Sequence, residues 1–381
     1  MRRHKFFWPT LRAVVSGFLR LKFGYRTQIA ENLPEQYIVL SNHTTDWDPL
    51  LVGASFKKQM YFVASEHISR WKHAYKLIRY FFEPIIRYKG SVASSTVMDI
   101  LKKTRAGENV CIFAEGNRSW DGLTNPILPS TGKLVKKAGC ALVTYRLTGG
   151  YFVSPNWSEG GLRRGPIAGS VVNVYTKEQL AGMSADEINA AIVRDLHEDA
   201  YARQLAAPKK YKGKQIACRL ENLVYLCPTC GKQDSLRSEK DQVRCGHCGL
   251  EFSYDEYGML HGLPFDTVQE LAAWQQAETL RHAEQGESYR VSSAQLNIIT
   301  KQHEELLAQG EAVMDGRSLR CGEAEILLED ITEMAMHGRH ALVFSAGKTY
   351  YELLPAEGCN TLKFLRFYES CNAVKAAVPM G

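Results

Sequence analysis

Short apolar runs alternate with longer mixed segments from residue 36 to about residue 205. The runs are rich in β-branched and aromatic residues, as buried strands are, and the segments between them are long enough for helices. Strands that alternate with helices predict an α/β domain, a mixed sheet flanked by helices. The predicted strands are 36–40, 59–63, 109–113, 141–145 and 170–174, and the clearest predicted helices are 69–82 and 94–105.

The end of this domain is indicated by a helix signal followed by a break. Ser184 and Glu187 form a capping box, and the helix that they begin is expected to run to about Leu205. Residues 206–214 then combine Pro, Gly and charged residues, which indicates a domain boundary.

The second half of the chain has a different pattern. A helix is expected around Trp274, residues 316–354 alternate in strand fashion with turns at Gly338 and Gly347, and 361–377 is expected to be a closing helix. This is the pattern of a small α+β module. The predicted parts are a basic amphipathic segment (1–30), the α/β domain (31–213), a cysteine-rich unit (214–262) and the α+β module (263–381).

Composition and charge narrow the class of protein. The chain has 381 residues with 45% hydrophobic and 23% charged residues, so it is long enough for more than one core and is not a disordered protein. Its net charge of +6 is unevenly distributed. A surplus of cations in one part of the chain favours an anionic partner, either lipid headgroups or nucleic acid. Seven cations precede the first acid, Glu31: Arg2, Arg3, Lys5, Arg12, Arg20, Lys22 and Arg26.

The N-terminal aromatic residues favour the lipid partner. Residues 1–25 interleave these cations with Phe, Trp and Leu, which predicts a helix that lies in a membrane interface. No apolar stretch there reaches the roughly 20 residues needed to span a bilayer, and Arg12 interrupts the run that a secretory signal would have. The alternative is a core helix whose cations reach the surface. We expect a peripheral, monotopic protein on the cytoplasmic face of an anionic membrane.

His43 and Asp48 are the first candidates for chemistry. Four residues separate them, and the pair lies between the apolar run 37–40 and Pro49. A carboxylate that binds one imidazole nitrogen fixes the tautomer and leaves the other nitrogen as a base. The alternative is structural, because Asp48 and Pro49 are also a good start for a helix.

A second polar cluster follows the apolar run 110–113. In it an arginine could bind phosphate through its fork, and a glycine could let the backbone approach that phosphate. Arg87 occupies a third such position, a cation near a strand end. The alternatives are a tight turn with a surface ion pair and a solvated basic loop. The cluster comprises Glu115, Gly116, Asn117, Arg118 and Ser119.

Taken in order, N-H-x4-D-P-L-L at 42–51 and F-A-E-G-N-R-S at 113–119 resemble the glycerophospholipid acyltransferase superfamily, with bacterial lysophosphatidic acid acyltransferases as the closest type. The resemblance covers about half of the chain. Ala114 stands where the family usually has Pro, Asn117 where it has Thr, and Thr144 where the fourth block has Pro. These departures leave the donor and acceptor preference open.

The resemblance implies acyl transfer without a covalent enzyme intermediate. His43 would take the proton of an acceptor hydroxyl, supported by Asp48, and the hydroxyl would attack the thioester of acyl-CoA or an acylated carrier protein. The acceptor would be a lysophospholipid such as 1-acylglycerol-3-phosphate, or another lipid alcohol on the same fold. The residues implied in acceptor binding are Arg87, Glu115, Gly116, Asn117, Arg118 and Ser119.

Four cysteines form a separate pattern in the cysteine-rich unit. Cys227 and Cys230 are followed, after fourteen residues, by Cys245 and Cys248, and each pair is followed by glycine. This spacing predicts a zinc ribbon in which four thiolates close a tetrahedral site, so the Zn²⁺ is expected to be structural. The alternatives are two accidental pairs or a redox dithiol.

A rival class of function is a nonenzymatic membrane or nucleic-acid adaptor. The ribbon and the positive net charge favour it, but it leaves the His43 and Arg118 clusters without a role. Residues 226–250 carry nearly balanced charge, so no nucleic-acid partner is expected. The C-terminal module weakly resembles a pleckstrin-homology-like module; a lipid- or protein-binding role and a plain structural role are both open.

Overall fold

The computed structural model describes residues 3–25, 27–65, 72–87, 94–300 and 304–377. The start of the predicted helix at 69 and the basic residues Arg2 and Arg26 lie outside these ranges. The chain divides into two compact units: the first is Met1–Asn156 with Leu162–Lys212, and the second is Trp157–Gly161 with Gly213–Gly381. The finer four-part division stays a prediction.

The first unit is built on one six-stranded sheet. Its strands are β1 (Tyr37–Ser41), β2 (Met60–Ser65), β3 (Ile85–Arg87), β4 (Asn109–Phe113), β5 (Ala141–Thr148) and β6 (Ala168–Tyr175). They are ordered β3-β2-β4-β1-β5-β6. The first five are parallel and β6 is antiparallel to β5. The predicted mixed α/β sheet is therefore confirmed.

Helices cover both faces of this sheet, as a parallel sheet requires. They are α1 (Arg3–Phe23), α2 (Asp48–Ala54), α3 (Lys72–Phe82), α4 (Ser94–Arg105), α5 (Ser130–Ala138), α6 (Gly150–Val153), α7 (Lys177–Gly182), α8 (Ala185–Leu196) and α9 (Ala200–Ala206). Every residue of β1 is buried. Ile38 and Leu40 belong to the core formed with α4, α5 and α8, and α1 packs against α2 and α3.

The helix expected from 184 to 205 is in fact two helices. The capping box of Ser184 begins α8 as predicted, but α8 ends at Leu196. The backbone N–H of Glu198 donates instead to Oγ1 of Thr124, 2.8 Å away, and Asp199 caps α9 through the N–H of Ala202. A tertiary hydrogen bond and a second cap thus interrupt a continuous helical pattern.

The second unit contains two antiparallel sheets. The smaller has the order β10-β9-β8-β7 and consists of β7 (Leu236–Glu239), β8 (Gln242–Cys245), β9 (Glu251–Tyr254) and β10 (Leu260–His261). The larger runs β14-β13-β12-β11-β17-β16-β15. Its strands are β11 (Tyr289–Ile299), β12 (Glu304–Met314), β13 (Ser318–Cys321), β14 (Ala324–Leu327), β15 (Ile331–His337), β16 (Ala341–Ala346) and β17 (Thr349–Pro355). With α10 (Val268–Glu284) and α11 (Leu362–Ala377) it forms the predicted α+β part, whose likeness to pleckstrin-homology-like modules stays a prediction.

Helix α1 has one packed and one exposed face. Trp8, Leu19 and Phe23 are buried, whereas Phe6 is 65% exposed and Leu21 is 90% exposed. Within the described ranges, no helix combines the length and the apolar content that crossing a bilayer requires.

Candidate functional site

The parallel topology determines where the site can form. The carboxyl ends of parallel strands meet at one edge of the sheet, which is where open α/β sheets bind ligands. Here His43 follows β1, Glu115 and Gly116 follow β4, and Arg87 ends β3. Residues far apart in the sequence are thereby brought to the same edge.

Asp48 is the centre of a dense hydrogen-bond network at this edge. Its Oδ2 accepts from the backbone N–H groups of Thr44 (2.5 Å) and Thr45 (2.9 Å) and contacts His43 Nδ1 at 2.9 Å. Its Oδ1 accepts from the hydroxyls of Thr44 (3.1 Å) and Thr45 (2.7 Å). The carboxylate is fully buried in the first turn of α2, and the hydrogen bonds hold it in one position.

The network determines the tautomer of His43. An ionised carboxylate only accepts hydrogen bonds, so Nδ1 of His43 carries the proton and donates to Asp48. Nε2 then carries the free lone pair. The ring stacks on Phe113 with centroids 4.5 Å apart, and 21% of the side chain is exposed, so a substrate can reach it. This is the arrangement that a general base requires.

Glu115 ties together the loops after β1 and β4. Its Oε1 accepts from the backbone N–H of His43 at 2.6 Å, and its Oε2 accepts from that of Asn125 at 2.6 Å. Burial raises the pKa of Glu115 to about 8, although these two amides lower it. Backbone amides bind both carboxyl oxygens, so the Glu115 side chain positions the backbone of His43.

Arg118 is buried, and its fork is already bound by the protein. NH1 pairs with Asp46 Oδ2 at 3.0 Å, Nε donates to the carbonyl of Thr44 at 3.3 Å, and NH2 donates to Ser154. Asp46 itself is exposed, with 65% of its side chain accessible. Arg118 therefore clamps the segment between His43 and Asp48.

Arg87 lies beside the turn at Gly116. Gly116 has φ of 73°, which favours glycine, and a Cβ built there would be 3.4 Å from NH1 of Arg87. Among the residues that the structure describes, the side chain of Arg87 forms no hydrogen bond or ion pair, while its backbone pairs with β2. Its guanidinium is thus an available anion-binding group at the edge of the sheet.

Asn117 and Ser119 lie in the turn itself. Ser119 Oγ donates to the carbonyl of Leu123 at 2.7 Å and accepts from the N–H of Gly122 at 2.9 Å. The carbonyl of Asn117 accepts from the Asn125 side chain at 3.1 Å. These contacts brace the turn, and a substrate contact for either residue stays a prediction.

Several supporting residues were not found from the sequence. Thr44 and Thr45, the donors to Asp48, could have been found, since hydroxyls beside an aspartate are natural partners. Asn42, whose side-chain amide pairs with the backbone of Leu147 through two bonds of 2.8 Å, depends on tertiary structure. The role of Thr144 also depends on tertiary structure. Its hydroxyl donates to Asp195 of α8 at 2.9 Å and therefore points to that helix.

The four predicted ligand cysteines converge in the second unit. Their Sγ atoms all lie within 4.8 Å of one another, with Cys227 to Cys248 at 3.7 Å and Cys230 to Cys245 at 3.9 Å. Sulfurs about 2.3 Å from a tetrahedral Zn²⁺ are about 3.8 Å apart, so the donor set fits. The following glycines, Gly231 and Gly249, have φ of 69° and 76°, a backbone conformation that favours glycine and closes the two turns. The N–H of His247 donates to Cys245 Sγ at 3.4 Å, as it would to a thiolate.

Comparison with known proteins supports both the acyltransferase and the zinc-ribbon predictions. Residues 25–148 match the family model described as Acyltransferase. Residues 220–254 match a zinc-ribbon model described as DNA directed RNA polymerase, 7 kDa subunit. The acyltransferase and zinc-ribbon resemblances predicted from the motifs are confirmed for these residues.

One similar solved structure is the 1-acyl-sn-glycerophosphate (LPA) acyltransferase PlsC from Thermotoga maritima. It is 18% identical, covers 54% of this chain and 84% of its own, and has a TM-score of 0.42. No curated protein sequence matches the chain significantly.

Proposed function

We propose that the protein transfers a fatty acyl group from a thioester to a hydroxyl of a lysophospholipid such as 1-acylglycerol-3-phosphate. The observation that carries the proposal is the His43–Asp48 pair, in which a buried carboxylate holds Nδ1 at 2.9 Å and leaves Nε2 as a base. The acyltransferase match over residues 25–148 supports the class of reaction.

The chemistry follows from the free nitrogen. Nε2 of His43 takes the proton of the acceptor hydroxyl as its oxygen attacks the thioester carbonyl. The C–O bond forms, the C–S bond breaks, and the departing thiolate recovers the proton from the imidazolium. Asp48 supports the positive charge that His43 carries between these events. No covalent enzyme intermediate is needed.

The acceptor phosphate is assigned to Arg87 and the backbone at Gly116. The guanidinium of Arg87 has no partner in the described parts of the chain, and the glycine leaves room for a phosphate oxygen to approach the backbone. Such binding fixes the hydroxyl near Nε2, which lowers the entropy cost of the reaction.

Glu115 and Arg118 are assigned to the same acceptor site, mainly through the loops that they hold. Glu115 binds the backbone of His43, and Arg118 binds Asp46 and the carbonyl of Thr44. In this proposal Asp46, which is exposed, yields NH1 of Arg118 to an incoming phosphate.

The acceptor is a lipid, so the enzyme is proposed to work on an anionic membrane surface. Exposed apolar residues of α1 stand beside the cations Arg20 and Lys22, the combination that binds a lipid interface. We place the protein on the cytoplasmic face as a peripheral, monotopic enzyme. The exposed apolar side chains of α1 are Phe6, Phe7, Val14, Phe18 and Leu21.

The donor is proposed to be acyl-CoA or an acylated carrier protein, since either supplies the thioester. Zn²⁺ is proposed to be structural, because four thiolates leave a tetrahedral ion no open position. When bound, the ion crosslinks the two turns at Cys227–Cys230 and Cys245–Cys248.

The test is a thiol-release assay with purified protein, acyl-CoA or acylated carrier protein, and a panel of lysolipid acceptors. Release should require an acceptor hydroxyl and should be fastest with an acceptor that carries a phosphate monoester, since Arg87 would bind it. A monoacylglycerol, which lacks the phosphate, is the matched acceptor control. Thiol release at the same rate with and without any acceptor would contradict the proposal.

A further inference from the structure

Trp47 belongs to the candidate catalytic loop (residues 42–47, between β1 and α2) and contacts helix α1. The indole lies between two phenylalanines of α1, with centroids 5.6 Å from Phe18 and 5.5 Å from Phe23. Nζ of Lys22 is 4.4 Å from the centroid of the same ring. Three residues within two turns of α1 thus surround one residue of the loop.

Trp47 stands at a sensitive position within that loop. It is adjacent to Asp48, its carbonyl accepts the N–H of Leu51 at 3.0 Å in the first turn of α2, and its own N–H donates to Thr45 Oγ1 at 3.0 Å. Thr45 in turn donates its N–H and its hydroxyl to Asp48. The position of Asp48, and through it the ring of His43, therefore depends on where Trp47 is held.

A neighbouring residue of the loop has a different partner. Asp46, the residue before Trp47, pairs with the buried Arg118. Arg118 belongs to the sheet edge, whereas Phe18, Lys22 and Phe23 belong to α1. The loop thus has contacts both with the buried Arg118 and with α1.

The same part of α1 carries groups that would enter a lipid interface. Phe18 is 41% exposed and Leu21 is 90% exposed, and the exposed cations Arg20 and Lys22 complement anionic headgroups. Phe18 and Lys22 both contact Trp47 and face solvent. Membrane contacts at the C-terminal end of α1 therefore involve the same side chains that contact Trp47.

We propose that Trp47 is a positioning residue that couples the seating of α1 on an anionic membrane to the alignment of His43. The proposal rests on the proposed acyltransferase function for its kinetic consequence only. On a membrane, α1 is immobilised and the loop is held in the geometry described above. In the absence of a membrane, the loop moves with α1, and a base displaced by about 1 Å loses roughly a hundredfold in rate.

The coupling predicts a particular pattern in variants. Trp47→Ala removes two aromatic contacts and one cation–π contact, and should lower kcat on vesicles by about 10- to 100-fold. The KM for the acceptor should change little, because Arg87 and Gly116 are untouched. Trp47→Phe retains a ring between Phe18 and Phe23 and should restore most of the rate. Trp274→Ala, which removes a tryptophan of the second unit packed on Phe265, is the matched control.

The deciding experiment measures amide hydrogen exchange of residues 43–54, which comprise most of the loop and α2. Exchange is measured with and without vesicles of phosphatidylglycerol and phosphatidylcholine, together with vesicle sedimentation. In the wild type and in Trp274→Ala, vesicles should slow exchange of the loop. In Trp47→Ala, vesicle binding should persist while this protection is lost. The exchange result holds whether or not the protein transfers acyl groups, so failure of the coupling and failure of the proposed function can be told apart.

Three outcomes would overturn the coupling. The first is that the wild type does not sediment with the vesicles, and the second is that it binds them without any change in loop exchange. The third is that Trp47→Ala shows the wild-type protection and the wild-type kcat.

Discussion

Asp48→Asn separates the charge of the carboxylate from its shape. An asparagine of the same rotamer can offer its carbonyl oxygen to His43 Nδ1 and to the amides of Thr44 and Thr45, which Oδ2 now serves. Its NH2 group then faces the two threonine hydroxyls, which can rotate to accept. We therefore expect Asp48→Asn to fold, with a loss of about 1–2 kcal/mol in the free energy of unfolding, since hydrogen bonds to a neutral group are weaker.

The effect on turnover should be much larger. His43 becomes an imidazolium during the proposed reaction, and Nδ1 is 2.9 Å from the carboxylate oxygen. Two unit charges whose centres are about 4 Å apart interact by about 4 kcal/mol at an effective dielectric constant of about 20. At about 1.4 kcal/mol for each factor of ten, the loss of this interaction corresponds to a roughly 1,000-fold lower kcat.

The assay is acceptor-dependent thiol release at saturating donor and acceptor, with urea unfolding measured on the same preparations. Asp99→Asn, which removes an exposed charge from α4, is the matched control and should behave as wild type. A kcat for folded Asp48→Asn within threefold of wild type would contradict this role, because the charge of Asp48 would then be irrelevant to the reaction.

Three further predictions follow from the same geometry. Arg87→Ala should raise the KM for a phosphate-bearing acceptor by about 10- to 100-fold at nearly constant kcat, with exposed Arg105→Ala as control; an unchanged KM would exclude Arg87 from the acceptor site. The pKa of Glu115 is raised by burial to about 8 from an ordinary value of 4.5, so the stability that the protonated form provides is complete below about pH 4.5 and is lost as the pH rises through about 8. In urea unfolding, wild type should therefore lose stability relative to Glu115→Gln between pH 5 and 8.5, and parallel curves would contradict this. Purified protein should contain one zinc ion per chain by elemental analysis; Cys248→Ser should lower that content and the melting temperature, whereas Cys218→Ser, outside the cluster, should change neither, and zinc-free protein with an unchanged melting temperature would rule out a structural ion.

The elements of the first unit were predictable because both faces of its sheet are buried. Tyr37–Ser41 and Asn109–Phe113 are almost entirely apolar for that reason, and helix Ser94–Arg105 has the predicted bounds. The interruption at Glu198 was not predictable, since its partner Thr124 is 74 residues away. Local patterns contain no information about such a bond.

The candidate site was likewise predictable from the sequence only in part. The spacing of His43 and Asp48 was readable, since both lie on one short loop. The sequence also placed Arg118 in the acceptor site, but it could not show that the guanidinium is held by Ser154 and Asp46. Arg87, by contrast, was the less distinctive cation in the sequence and is the one left without a partner among the described residues.

In the proposed reaction, Nε2 of His43 is the base for acyl transfer to a lipid hydroxyl. The most direct test is the kcat for acceptor-dependent thiol release of His43→Ala, with exposed His261→Ala as the matched control and with folding verified by circular dichroism. We expect a fall of at least about 1,000-fold for His43→Ala and none for His261→Ala. A folded His43→Ala protein that turns over at the wild-type rate would contradict it.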